Sequence, residues 1–217
     1  MSMQHAFGLN IPLSLEDLCD PTRTALIVYD MQVGIVSQIA DSGSIIERVA
    51  DVRQAARARG VRVVYTRHMS LPNEVAGVVQ LRTAMAWQRL ERVADVKPAF
   101  LRDSPQFQIT PELTPDRTEV VFDKITMSAF QGTPLDLTLH DCGLNAFIIV
   151  GIALEVGIEP TVRHATDLGY IPIVVTDACG SHDKVAAARA LDGLVFAGGS
   201  LLTEVKTICG LLRPPSG

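Results

Sequence analysis

Residues 146–165 read AFIIVGIALEVGIEPTVRHA, an apolar run that stops at a glycine and resumes at helical spacing. The apolar and largely β-branched residues at 147–150 predict a strand that is buried on both faces. Glu155 and Glu159 stand near the start of the helix predicted next, where carboxylates favour the positive end of the helix dipole. Ligands of open α/β sheets bind beyond the carboxyl ends of the strands, so the turn at 151–157 is expected to line a site. An ordinary strand-to-helix connection would have the same pattern.

The composition favours one domain that acts on small molecules. The chain has 217 residues, a net charge of −5 at pH 7 and four cysteines without a CxxC pair. This length suits a single domain over 1–217, and the scattered charges argue against nucleic-acid and membrane partners. No apolar run approaches the ~20 residues of a membrane helix and no signal peptide is visible, so a cytoplasmic location is expected. Neither a cofactor nor a metal site is predicted.

Apolar strands and helical periods alternate along the chain. Strands are predicted at 24–29, 61–66, 119–122, 147–150, 171–176 and 195–197, with helices between them that include 44–60, 81–94, 133–139, 186–191 and 201–212. With right-handed crossovers, this alternation predicts a three-layer α/β/α Rossmann-like fold with a six-stranded, mainly parallel sheet. Residues 1–23 are interpreted as an N-terminal arm, and the proline-interrupted residues 71–107 as an insert or lid.

Three chemically active side chains follow the ends of predicted strands. Asp30, His68 and Lys124 each stand at or just after such an end. Lysine is rarely buried without a partner, so an ion pair between Asp30 and Lys124 in a shared cleft is predicted, although a surface lysine on a loop has the same pattern. His68 fits a ligand contact and a histidine bonded to backbone equally well. Trp87, in the insert, could cover a ligand, but packing is the favoured interpretation.

These motifs, in this order, resemble the isochorismatase-like hydrolase superfamily, also called the cysteine hydrolases. The likeness extends over about 24–212 and is carried by LIVYDMQ at 26–32, VVYTRH at 63–68, FDKITMSAFQGTPL at 122–135, VGIALEVG at 150–157 and PIVVTDACGS at 172–181. For the amidase branch, the resemblance implies Asp30 as general base, Lys124 as its charged partner and a nucleophilic cysteine at the position of Gly157. Glycine has no side chain to act as a nucleophile, and neither Cys142 nor Cys179 is placed to substitute for it.

The resemblance therefore implies the branch that lacks this cysteine, as in the isochorismatases, which carry glycine here and cleave a vinyl ether. Asp30 would protonate the enol carbon, and Lys124 would orient the Asp30 side chain and manage its charge. Amides at Ile152, Ala153 and Val156 would hold a carboxylate or developing negative charge. A cis peptide near Ile152 and Ala153 is also implied.

The expected function is hydrolysis of a small polar molecule without a cysteine nucleophile, with a vinyl ether as the favoured substrate. One alternative is an amide or ureido hydrolase in which Asp30 activates water, and another is a ligand-binding or scaffold protein that has lost catalysis. His68 matches a region of polar substrate contact in the family, and Arg82 and Trp87 could meet the substrate from the insert. A homodimer or homotetramer is expected from the resemblance.

Overall fold

The computed structural model describes residues 3–213, whose strands form two sheets. Strands β1 (Gln4–Ala6) and β2 (Leu9–Ile11) pair as an antiparallel hairpin. The larger sheet contains β3 (Thr24–Tyr29), β4 (Arg62–His68), β5 (Val120–Lys124), β6 (Ala146–Ile152), β7 (Ile171–Gly180) and β8 (Leu201–Thr203). Its order is β5-β4-β3-β6-β7-β8 and every pairing is parallel, which confirms the predicted sheet.

Helices cover both faces of this sheet. Their bounds are α1 (Leu15–Leu18), α2 (Val33–Val36), α3 (Ser42–Arg59), α4 (Val78–Trp87), α5 (Leu135–Asp141), α6 (Glu159–Asp167), α7 (Lys184–Ala197) and α8 (Val205–Leu211). Side chains of α3 and α8, such as Val49 and Ile208, are buried in one core. Side chains of α5, α6 and α7, such as Leu139, Val162 and Leu194, are buried in the other. The three-layer arrangement is therefore confirmed.

The long helix α3 shows why the spacing of apolar residues predicts a helix. Its buried residues Ile45, Val49, Val52 and Ala56 recur every three or four positions, which places them on one side of a helix. Gly60 ends the helix with φ 78°, in the left-handed region that glycine adopts without steric cost. The helix predicted at 44–60 is thus present almost to its bounds.

The strand predicted at 195–197 is wrong. These residues end α7, which begins at the capping side chain of Asp183 and stops at the left-handed Gly198. Val195 and Phe196 are exposed, so their apolar character does not mark a core strand. A short apolar run fits either element, and here the caps decide. The sixth strand is β8, the last helix begins only at Val205, and β7 continues past 176 to Gly180.

The helix predicted at 81–94 is also misplaced, because α4 ends at Trp87 and Arg89 follows with φ 53°. Arg102 ties the insert to the sheet through an ion pair with Asp123 of β5 (3.5 Å), and Asp123 also pairs with Arg67 of the neighbouring strand β4 (2.8 Å). The amide of Gln32 adds bonds to backbone on both sides, to the carbonyls of His68 and Phe107 at 3.0 Å. Within residues 3–213, no helix has the length and apolar character needed to cross a membrane.

Candidate active site

A cavity of about 530 Å³ opens where the strand order of the sheet reverses, at the carboxyl ends of β3 and β6. This is the position at which open α/β sheets bind ligands. Tyr29, Asp30 and Gly157 line it from the sheet side, and Trp87 and Arg89 line it from the insert. The cavity therefore lies between the sheet edge and the insert.

Asp30 is the buried acid of the cavity, with only 4% of its surface exposed. The hydroxyl of Thr66 donates to Oδ1 at 2.6 Å, and Nζ of Lys124 donates to Oδ2 at 2.6 Å. Its backbone has φ 48°, a left-handed conformation that costs a non-glycine residue on the order of 1–3 kcal/mol. Such a conformation persists only where the surroundings hold it. Both carboxylate oxygens are thus occupied by donors, and the side chain is fixed.

Lys124 is the buried cation of the same pair, and its ammonium group has three hydrogen-bond acceptors around it. Its Nζ donates to Oδ2 of Asp30, to Oη of Tyr29 at 2.8 Å and to the carbonyl of Thr126 at 3.1 Å. An ammonium group has three hydrogens to donate, so these acceptors suit the charged form. Burial lowers the pKa of Lys124 and the neighbouring Asp30 carboxylate opposes this effect. The contact predicted between the two side chains is present.

His68 also lines the cavity, next to this pair. Burial lowers the pKa of His68 first, the charge of Lys124 lowers it further, and Asp30 acts in the opposite direction. The imidazole is therefore neutral at pH 7 and can both donate and accept a hydrogen bond. Its ring meets Phe100 of the insert edge-on, with centroids 6.1 Å apart. The backbone of His68 is held by the Gln32 side chain, which accepts from the His68 amide at 2.6 Å and donates to the His68 carbonyl at 3.0 Å. The contact of the imidazole with a ligand stays a prediction.

The segment after β6 supplies backbone amides. The Ile152–Ala153 peptide is cis, and residues Leu154–Ile158 form a wide π-helical turn that leads into α6. Amides at the start of a helical segment lack acceptors within it, which makes such a start a ready anion site. Ile152, Ala153 and Val156 line the cavity, as expected from the sequence.

Of the two insert residues expected near the substrate, Trp87 lines the cavity and Arg82 does not. Arg82 is exposed and is not among the residues that line the cavity, whereas Arg89 is. Trp87 is 55% exposed and lines the cavity, so its position fits the alternative that it covers a ligand better than the favoured interpretation that it packs. Nothing in the local sequence singles out Arg89. Thr66, by contrast, could have been found as a polar residue near the end of a buried strand.

The cysteines lie outside the cavity. Cys179 is buried and burial raises the pKa of its thiol, while Cys142 is exposed at the end of α5. Neither lines the cavity, in agreement with the expectation that they do not substitute at position 157. Over residues 3–213, no three His, Cys, Asp or Glu side chains come together in a way that could hold a metal ion. The chemistry available is proton transfer by a carboxyl and ammonium pair beside backbone amides.

Comparison with known proteins identifies the family. The isochorismatase domain model matches residues 24–205, most of the chain. The ureidoacrylate amidohydrolase RutB of Methylorubrum extorquens is 30% identical over 174 residues, which cover 73% of this chain and 70% of that protein.

Solved structures share the fold. A cysteine hydrolase from Pseudomonas syringae pv. phaseolicola matches with a TM-score of 0.76 at 23% identity, covering 88% of this chain and 93% of that one. The N-carbamoylsarcosine amidase from Thermoplasma acidophilum matches with a TM-score of 0.68 at 20% identity, covering 84% of this chain and 96% of that one. The chain therefore belongs to the isochorismatase family and is an isochorismatase-like hydrolase.

Proposed function

We propose that this hydrolase cleaves the carbon–nitrogen bond of a small ureido or amide acid, with water activated by Asp30 and without a thiol nucleophile. The observation that supports this most directly is the set of three acceptors around Lys124. These acceptors favour the ammonium form, and the proton of the pair then resides on nitrogen. Asp30 is left as a carboxylate, which is the form that acts as a base.

The reaction then follows from the positions of these groups. Water loses a proton to Asp30 while its oxygen attacks the carbonyl carbon, and amides near Ala153 and Val156 stabilise the oxyanion that forms. The proton held by the pair of Asp30 and Lys124 passes to the leaving nitrogen as the carbon–nitrogen bond breaks. An amide gives an acid and an amine; cleavage of a ureido group gives an amine and carbamic acid, which releases ammonia and carbon dioxide.

The substrate class is supported by the relatives and by the cavity wall. A relative at 30% identity is named for a ureido acid, ureidoacrylate. Arg89 provides a cation on the wall formed by the insert, where it can meet a carboxylate. Trp87 and Phe100 provide apolar surface beside it. A small molecule with one acidic group and one carbonyl bonded to nitrogen fits these features.

A vinyl ether remains the second candidate, favoured by glycine at position 157. In that reaction the proton of Lys124 would first pass to Asp30, which would then protonate the enol carbon. The same two residues serve both reactions, so the substrate distinguishes them.

The test is turnover of a panel that contains ureidoacrylate, N-carbamoyl amino acids, simple amides and isochorismate. We expect release of ammonia from a ureido or amide acid, a loss of at least about 100-fold in Asp30→Asn and no loss after thiol alkylation. Asp141→Asn, the same change at an exposed position, is the control. Turnover of isochorismate alone would select the vinyl ether. Inactivation by alkylation of the folded protein would disprove a mechanism without a thiol, and tight ligand binding without any turnover would indicate an inactive family member.

Assembly is a separate proposal. A homodimer or homotetramer remains a prediction from the family resemblance, and size-exclusion chromatography with light scattering measures it. A monomer under assay conditions would contradict it.

A further inference from the structure

The position next to Asp30 is occupied by a large buried side chain. Tyr29 ends β3, is 2% exposed and lines the base of the cavity. Its ring lies on the side of the sheet covered by α5 and α6, within the core that contains Leu135 and Ile158. The ring is therefore held on several sides and cannot swing away as an exposed side chain would.

The ring reaches the backbone of Gly157. A Cβ built on that glycine would lie 2.5 Å from both Cε1 and Cζ of Tyr29, and closer still to its hydroxyl oxygen. Real carbon atoms do not approach to this distance, so position 157 accepts no side chain while the ring is in place. The backbone conformation at position 157 does not require glycine, because this residue lies in the helical turn Leu154–Ile158 and does not have a positive φ. Its lack of a side chain is explained by the ring.

The hydroxyl of Tyr29 has a defined direction. It donates to the carbonyl of Met127 and accepts from Nζ of Lys124 at 2.8 Å. Burial raises the pKa of Tyr29 well above its usual value and the Asp30 carboxylate raises it further, so the phenol keeps its proton. With the proton directed at Met127, a lone pair of the oxygen faces Lys124. The ammonium also lies 4.3 Å from the centroid of the ring.

We infer that Tyr29 is a positioning residue: its ring takes the space that a side chain at position 157 would need, and its hydroxyl holds Lys124 against Asp30. The kinetic part of this inference rests on the proposed function, whereas the steric part is independent of any activity. Tyr29 and Gly157 together therefore exclude a nucleophilic side chain from this position. A nucleophile could be introduced at 157 only if Tyr29 were also replaced by a smaller residue.

The steric part is tested by a double-mutant cycle on thermal stability. Alanine is favoured over glycine in helical turns, so Gly157→Ala should raise Tm by roughly 2–4 °C if nothing obstructs the new side chain. We expect it instead to lower Tm in the wild type, and to lower it by less than half as much, or to raise it, in a Tyr29→Leu background. An equal change in Tm in both backgrounds would overturn the steric assignment.

The second part is tested by Tyr29→Phe, which keeps the ring and removes the acceptor. Loss of one hydrogen bond to a buried ammonium should lower kcat about tenfold or more, with KM within about twofold and Tm near that of the wild type. The basic limb of the pH profile should move to lower pH, because the ammonium form loses a partner. Tyr65→Phe is the matched control, since Tyr65 is fully buried on β4 and its hydroxyl meets only Arg53 among the described side chains. Unchanged kcat and pH profile in Tyr29→Phe would refute the positioning role.

A readout that needs no substrate separates this inference from the proposed function. The titratable groups that face Lys124 are Tyr29 at the end of β3, Asp30 directly after it and His68 at the end of β4. Titration of the Lys124 side chain by NMR should give a lower pKa in Tyr29→Phe than in the wild type. An identical pKa in the two proteins would reject the role of the hydroxyl, even if no substrate of the panel were turned over.

Discussion

Removal of the buried ammonium should destabilise the protein strongly, and by an amount that depends on pH. In the variant Lys124→Met, the side chain keeps its length but loses the charge that faces Asp30 at 2.6 Å. Asp30 is 4% exposed, and the hydroxyl of Thr66 would be its one remaining side-chain donor among the described residues. A carboxylate in this position has lost its access to water and would have lost its counterion as well.

The size of the effect can be bounded. Breaking a buried ion pair by removing one partner costs about 3–5 kcal/mol. For a domain of this length, each kcal/mol corresponds to roughly 2–4 °C in Tm, so a fall of roughly 6–20 °C is expected. The cost should be larger at pH 8 than at pH 5, because acidification allows the isolated carboxylate of Asp30 to take up a proton and become neutral.

The assay is thermal unfolding at pH 5 and pH 8 with two further variants. Arg92→Met breaks an ion pair in which both side chains are more than half exposed, and its Tm should stay within about 2 °C of the wild type. The double variant Asp30→Asn/Lys124→Met removes both charges and should recover much of the lost stability. A Tm for Lys124→Met within about 2 °C of the wild type at pH 8, or no recovery in the double variant, would refute the reasoning.

Three further outcomes are expected. Arg89→Ala should raise KM for a carboxylate substrate about five- to tenfold with kcat nearly unchanged, because Arg89 lines the cavity. Arg82→Ala should change neither constant, because Arg82 lies outside the cavity. Steady-state kinetics with one acidic substrate compares the two variants. Burial lowers the pKa of His68 in the folded protein, so the unfolded chain binds a proton at this histidine more tightly, and the stability that neutral His68 contributes is present above pH 6.5 and is lost as the pH falls below it. The Tm of His68→Gln should therefore fall less than the Tm of the wild type between pH 7.5 and pH 5. An equal fall in the two proteins would count against this role of His68. Gly157→Cys alone should gain no amidase activity that alkylation abolishes, because the Tyr29 ring occupies the space for the thiol; a gain measured by ammonia release would show that the ring moves aside.

The sheet and its edge could be predicted because both depend on local pattern. Buried strands such as β3 and β6 are continuous apolar runs, and parallel strands bring their carboxyl ends to one edge, which places Asp30, His68 and Lys124 together. No knowledge of side-chain packing is needed for that step. The chemistry of the pair therefore follows from the order of the strands.

The insert could not be predicted because long-range contacts determine its position. Its residues are tied down by the ion pair of Arg102 with Asp123 and by the bond from the Gln32 side chain to the Phe107 carbonyl, and neither contact leaves a period in the local sequence. For this reason the sequence indicates neither that Arg89 lines the cavity nor that Arg82 lies outside it. The error at 195–197 has a different origin, since three apolar residues fit a strand or the last turn of a helix equally well.

Two glycines, one in β6 and one in the turn after it, meet the same tyrosine for different reasons. Gly151 pairs with Tyr29 across the sheet and has φ 128°, and a Cβ there would lie 2.8 Å from the backbone carbonyl carbon of Tyr29. That conflict involves the main chain and would exist with any residue at position 29. The three atoms nearest to a Cβ at Gly157 all belong to the Tyr29 side chain, so the requirement for glycine at position 157 depends on the tyrosine. The glycine at 151 is thus required by the close approach of β3 and β6, which any member of this fold with the same strand pairing would share. The glycine at 157 is instead required by the phenol of Tyr29, which lies beside Lys124 and excludes a side chain at 157.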